Sequence, residues 1–318
     1  MSWWQQVLSL ALSLIAALLG AGWVYEAMGQ RRDRRRHQPP GRLVSIGDHQ
    51  LHLLSKGTGS PTVVIEPGAG QASRFWWAVQ DKIAEFTSVC TYDRAGLAWS
   101  EAAPSSQTIE DRAHALHTLL ENAGICGPYL LVAHSYGGLI VRSFARRYPD
   151  KVAGLVLVDT PDESTIFAPE VLAFYAKAKF LNRAIAIVSR FGTLRVLRRW
   201  VELDRFGLWL ERAAEYQALC DELTSILQAP VAMRVPEQAG VLGALPLAVI
   251  THGQPFPGPF AILEKNWSQG QAHLAALSSN SWLTVATESN HMIQTDEPEL
   301  VVNAVRRVYL AARGMEPA

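Results

Sequence analysis

The chain lacks net charge: Lys plus Arg number 29, as do Asp plus Glu, within 318 residues. With no basic face, zinc-finger spacing or RNA-binding signature either, the sequence argues against a polyanion binder, and no nucleic-acid partner is expected. Cysteine is scarce. Cys90, Cys126 and Cys220 are odd in number, widely spaced and free of any CxxC pair. That argues against a disulfide framework or a zinc site and leaves reduced, mostly buried thiols. No internal repeat or low-complexity tract is present. Only 18% of residues are charged and 49% are hydrophobic, which suits a large buried core rather than a disordered chain.

One absence is local. Between Val7 and Tyr25, VLSLALSLIAALLGAGWVY carries no charge. As a helix this run reaches roughly 28 Å, close to a bilayer core of about 30 Å. Trp3, Trp4, Trp23 and Tyr25 flank it, where amphipathic rings favour a membrane interface. Arg31-Arg32-Asp33-Arg34-Arg35-Arg36 follows, then the breaker Pro39-Pro40-Gly41. A cleaved signal would carry its basic residues before the apolar run, but none stands there. The expectation is an uncleaved single-pass anchor with the following domain cytoplasmic, by the positive-inside rule.

Beyond Gly41, short β-rich runs alternate with helical stretches. Arg42 to Ile46 and Leu51 to Ser55 read as a hairpin turned at Gly47-Asp48. Thr62 to Glu66, Ser88 to Tyr92, Tyr129 to Ala133 and Val152 to Val158 read as strands, with helices predicted at Phe75 to Phe86, Ile109 to Ala123 and Ile140 to Tyr148. Such alternation predicts an α/β domain with a parallel sheet covered on both faces. It stops near Thr160, and several helices follow before strands return at Leu245 to Thr251 and Trp282 to Thr287. The last helix is predicted to start at Asp296, with Glu299 completing a capping box. The expected division is an anchor at 1–28, a basic linker at 29–41, an α/β core at 42–162 and 241–318, and a helical cap at 163–240. The cap is rich in aromatics (Phe174, Phe180, Phe191, Trp200, Phe206, Trp209), most of them expected to pack within it.

The strongest chemical motif is Val132-Ala133-His134-Ser135-Tyr136-Gly137-Gly138, between a buried strand and a helix. A serine on so sharp a turn needs small residues two before and two after it, which Ala133 and Gly137 supply. Ser135 is therefore the candidate nucleophile. A hydroxyl needs a base at neutral pH. Of nine histidines, His291 follows the last strand, in the Ser, acid, His chain order such a site requires. Oxyanion donors are expected from the N–H groups of Tyr136 and of Ala69 in Pro67-Gly68-Ala69-Gly70. Gly68, Gly70, His134 and Trp77 are candidate pocket residues, and His252 a further one. The orienting acid is harder to find. The strand ending at Thr251 is followed by His252-Gly253-Gln254-Pro255, with no carboxylate. Asp159, at the end of an earlier strand, is the candidate by elimination, with Glu264, Asp162 and Glu163 behind it.

Together with Tyr92-Asp93-Arg94-Ala95-Gly96, Gly154 to Asp159 and Asn290-His291-Met292-Ile293-Gln294, these residues resemble a membrane-anchored branch of the α/β-hydrolase superfamily over about Leu43 to Ala312. The resemblance implies an eight-stranded, mostly parallel sheet flanked by helices, with a helical cap and no metal or organic cofactor. Serine at the nucleophile position sets the chain apart from the aspartate-nucleophile relatives, so carboxylic ester hydrolysis is the expected reaction. An apolar or lipid-like small-molecule ester is the expected substrate. A catalytically silent binding protein and a cofactor-free haloperoxidase-like enzyme are the alternatives.

Overall fold

In the computed structural model, residues 2–198 and 212–315 are described. Helix α1, Trp3–Arg36, runs without interruption for 34 residues. The arginine cluster therefore continues the apolar helix on its last turns, instead of forming a separate linker. Between Trp3 and Asp33 it is long and apolar enough to cross a membrane, and its most apolar stretch is exposed throughout.

The strands are β1 (Arg42–Ser45), β2 (Gln50–Lys56), β3 (Thr62–Glu66), β4 (Val89–Tyr92), β5 (Tyr129–His134), β6 (Val152–Val158), β7 (Leu247–His252) and β8 (Ser281–Ala286). They form one eight-stranded sheet in the order β1-β2-β4-β3-β5-β6-β7-β8. Only the β1–β2 and β2–β4 pairs are antiparallel; the other pairs are parallel. β3, β5 and β6 are continuous apolar runs because both faces of the sheet are covered. On one face lie α3 (Ile109–Asn122) and α4 (Gly137–Arg147), burying Leu116, Leu120, Ile140 and Phe144. On the other lie α2 (Trp77–Ile83) and α11 (Pro298–Ala312), burying Val79, Ile83, Val301 and Val305. Gly154 permits the close approach of α11, since a β-carbon there would meet Val308 at 2.5 Å.

The last helix begins later than the sequence suggests. Asp296 closes the short α10 (Ile293–Asp296), and Pro298 opens α11, with Glu297 as a cap that makes no side-chain capping bond. Proline is preorganised for the first helical position, and it disfavours helical backbone in the residue before it, so the boundary falls at Pro298 and no capping box forms.

The segment between β6 and β7 carries α5 (Glu163–Ile166), α6 (Pro169–Ser189), α7 (Thr193–Leu197) and α8 (Ala213–Leu227). Trp200, Phe206 and Trp209 fall outside the described residues. Between β7 and β8, a 3-10 stretch over Gly258–Asn266 leads into α9 (Trp267–Ala275).

Candidate active site

The parallel strands end on one edge of the sheet, where the chain leaves each strand and an open α/β sheet ordinarily binds its ligands. Ser135 sits just past β5 with φ +50, the left-handed region that a nucleophile elbow enforces. Its N–H donates to the Val158 carbonyl at 3.2 Å, and its own carbonyl accepts from Gly138 N–H at 2.9 Å. Gly137 is obligatory here: a β-carbon would meet the Glu66 carbonyl oxygen at 2.6 Å.

His291 lies in the loop after β8, with Nε2 2.9 Å from Ser135 Oγ and Nδ1 2.7 Å from Asp159 Oδ2. Because the carboxylate only accepts, the Nδ1 proton points at Asp159 and Nε2 is free to accept from the serine. Both Ser135 and His291 are half-buried, so a substrate can reach them.

Asp159, just past β6, is fully buried and also has positive φ, +48. Four N–H groups converge on its carboxylate: His291 Nδ1, His252 Nδ1 at 2.8 Å from both oxygens, His252 backbone N–H at 3.0 Å and Trp267 Nε1 at 3.1 Å. Burial would raise its pKa, but the hydrogen bonds and charges of His252 and His291 prevail and hold it at about 2. His252 thus fills the place after β7 where the sequence shows no acid. Burial acts to lower its pKa, yet Asp159 and Glu264 outweigh this and raise it.

The other carboxylates are engaged elsewhere. Glu264 accepts from Phe256 N–H at 2.6 Å and is 3.4 Å from His252 Nε2, Asp162 caps α5 through Thr165 N–H, and Glu163 pairs with Arg142 at 2.6 Å.

The loop after β3 is held by Arg94. This guanidinium donates to the Pro67 and Gly68 carbonyls at 2.6 and 2.5 Å, to Glu66 at 2.7 Å and to Glu222 of α8 at 2.7 Å. Glu222 in turn accepts the Gly70 N–H at 2.7 Å. Among the described residues, nothing accepts the N–H of Ala69 or of Tyr136. Those two donors flank the elbow and are free for a ligand oxygen. Burying a doubly paired arginine costs desolvation, but removing one partner would strand a charge, so this network fixes the loop rigidly.

The remaining candidate residues are distributed unevenly. His134 is fully buried beneath the site; burial pushes it down to about 3, and as a neutral ring it donates Nε2–H to the His291 carbonyl at 2.7 Å. It supports the His291 loop instead of lining a pocket. Gly68 packs tightly on His134, where a β-carbon would meet Nδ1 at 2.6 Å. Trp77 stacks on Trp99 at 6.2 Å and is not among the contacts of the Ser135–His291 pair. Sequence alone assigns no role in the site to Trp267, Arg94, Glu66 or Glu222. An acidic side chain in an otherwise apolar strand, Glu66 in TVVIE, is the available signal for the last three. Among the described residues no group of His, Cys, Asp and Glu is arranged to hold a metal ion.

A family model described as alpha/beta hydrolase fold matches residues 61–190. The chain is 28% identical over 260 residues to the uncharacterized protein YqjL of Bacillus subtilis (strain 168), covering 81% of this chain and 87% of that protein. It is 26% identical over 314 residues to an AB hydrolase superfamily protein of Gibberella zeae, covering 85% and 96% respectively. Of solved structures, a thermophilic esterase from Thermogutta terrifontis matches with a TM-score of 0.66 and 21% identity, over 85% of this chain and 98% of that one. The family model and the solved structure agree with the sheet described above: the chain has the α/β-hydrolase fold.

Proposed function

We propose that this protein is a membrane-anchored serine hydrolase that cleaves carboxylic esters of apolar or lipid-like acyl groups. The observation that carries the reading is the hydrogen-bonded series Ser135–His291–Asp159, at 2.9 and 2.7 Å, beside two unengaged backbone N–H groups.

In the proposed reaction, Ser135 Oγ attacks the ester carbonyl carbon as its proton passes to His291 Nε2. The carbonyl oxygen becomes an oxyanion that accepts from the Ala69 and Tyr136 N–H groups. Collapse breaks the C–O bond to the alcohol, which leaves with the proton from His291 and yields the acyl-enzyme. Water, deprotonated by His291, attacks the acyl carbon and releases the acid and free Ser135. Asp159 keeps the proton on Nδ1 and stabilises the imidazolium, while His252 and Trp267 keep Asp159 ionised and oriented. The name of the Thermogutta terrifontis esterase supports an ester substrate. The exposed apolar surface of α1 and its terminal arginines support a single-pass anchor with the hydrolase domain on the cytoplasmic side.

The test is labelling by a fluorophosphonate probe, which forms a covalent bond only with an activated serine. Wild type should label, while Ser135→Ala and His291→Ala should not. Absence of labelling in the folded wild-type chain would sink the hydrolase reading. A reporter fused after Ala318 that is active only outside the cytoplasm would reverse the orientation.

A further inference from the structure

The cap is built against the N-terminal helix. The turn between α6 and α7 lies so close to α1 that a β-carbon at Gly22 would meet the Phe191 carbonyl oxygen at 2.6 Å, and one at Gly192 would meet the Tyr25 ring at 2.8 Å. Below this contact, Arg195 of α7 reaches Glu26 at 3.0 Å and Asp33 at 2.8 Å. Gly22, Tyr25, Glu26, Gly29 and Asp33 recur at helical spacing, so one face of α1 serves as the seam. The seam begins on the last turn of the uncharged run of α1 and continues past its end, near the level of a lipid–water boundary for a spanning helix.

At that level the cap exposes an apolar face with no cover among the described residues. Phe180 is 78% exposed, Leu181 60%, Ile187 53%, Val188 47%, Val196 49% and Leu197 44%. On α6 the first four sit at i, i+1, i+7 and i+8, one side of a helix. Ile187 and Val188 lie within about one turn of the Phe191 contact with α1. The charge on these two helices is basic: residues 171–198 contain Lys177, Lys179, Arg183, Arg190, Arg195 and Arg198 and no Asp or Glu, with Arg195 paired to Glu26 and Asp33 and with Asp221 of α8 near Lys179. An apolar helix face of Phe, Leu and Ile bordered by Lys and Arg is the chemistry of a helix lying in the headgroup–acyl boundary of an anionic membrane.

We infer that α6 and α7 form a second membrane contact: their exposed apolar face lies in the anionic lipid surface of the bilayer that α1 crosses, so the cap is held flat on the membrane. This inference rests on the reading of α1 as a membrane span.

The test uses the full chain with the exposed Cys126 replaced by serine, the other two cysteines being buried. A single new cysteine at Phe180→Cys, at Ile187→Cys or at Leu12→Cys is labelled with an environment-sensitive fluorophore. The protein is reconstituted in phosphatidylcholine–phosphatidylglycerol vesicles, with and without a lipid carrying a nitroxide high on its acyl chain. The expected result is blue-shifted emission at positions 180 and 187, lost on adding the nitroxide lipid, together with a blue-shifted, lipid-exposed label at position 12. A lipid-exposed label at 12 with water-like, unquenched labels at 180 and 187 would overturn the cap contact while leaving the anchor intact. Water-like labels at all three positions would overturn both. Blue-shifted labels at 180 and 187 that the nitroxide lipid does not quench would mean protein covers the face, as a second copy would, and would also overturn the inference.

Discussion

The strand-end corner and the seam between α1 and the cap treat polar and apolar groups in opposite ways. At the corner, every charge is taken out of water and answered within the protein. Asp159 is fully buried with four N–H donors, and Arg94 is 2% exposed between Glu66 and Glu222. At the seam the ion pairs of Arg195 are confined to the polar end of α1, and the neighbouring apolar residues face outward: Trp23 is 60% exposed and Met28 65%. The corner is complete in itself, because preorganised dipoles act on a substrate only when their own partners are already in place. The α1 and α6 faces leave apolar surface exposed, which costs free energy in water.

The sharpest way to break this comparison is to remove the corner's reacting groups. Ser135→Ala should lower kcat for a soluble p-nitrophenyl ester by about 10⁶, with the chain still folded, since removing the nucleophile or its base abolishes triad chemistry. The next largest effect is expected at the acid. Asp159→Asn should cost about 10⁴ in kcat by favouring the wrong His291 tautomer, while Glu264→Gln should stay near wild type. Loss in Glu264→Gln with full activity in Asp159→Asn would move the acid off β6.

His252 sharpens the comparison further. His252→Phe keeps a ring against Phe256 and Trp267 but removes a side-chain donor to Asp159. A hydrogen bond to a charged group is worth about 1.5–3 kcal/mol, so kcat should fall about tenfold or more with KM little changed. An unchanged kcat would mean that Trp267, His291 and the backbone N–H at position 252 suffice to orient the acid.

The same carboxylate predicts an acid limb in stability. Its folded pKa, about 2, lies below its ordinary 3.8, so its charged form contributes fully above about pH 4 and the contribution is lost as pH falls toward 2. In detergent, the Tm gap between wild type and Asp159→Asn should therefore narrow between about pH 5 and pH 2.5. A constant gap would show that the destabilisation is not ionic. The smallest effect is expected at the seam. Arg195→Ala should leave soluble-ester turnover intact while lowering Tm, since it strands buried Glu26 far from Ser135.

Much of the fold was legible because it rests on local pattern. The continuous apolar runs of β3, β5 and β6 announce a sheet covered on both faces, and the switch to helices after Thr160 announces the segment inserted before β7. The helix boundary at Pro298 is hidden in the sequence because Asp296 and Glu299 mimic a capping box, while the proline between them decides the start. At the site, the Ser135 motif is a local turn requirement and His291 a matter of chain order. Asp159 was reached only by elimination. The donor roles of His252 and Trp267 are not legible in the sequence, because their partner lies 93 and 108 residues away. The same holds for Arg94 and Glu222, 128 residues apart.

By itself, the sequence determined the alternation of strands and helices, the sharp turn at Ser135 and the uncharged run of α1. These depend on periodicity, on side-chain volume at a strained backbone and on length, all properties of neighbouring residues. The tertiary structure alone decided which groups meet: that two histidines and a tryptophan share Asp159, that Arg94 ties the Gly68–Gly70 loop to the cap, and that α7 grips Glu26 and Asp33 of α1. Those pairings follow from strand order and from the requirement that each buried charge find a partner, and neither can be counted along the chain.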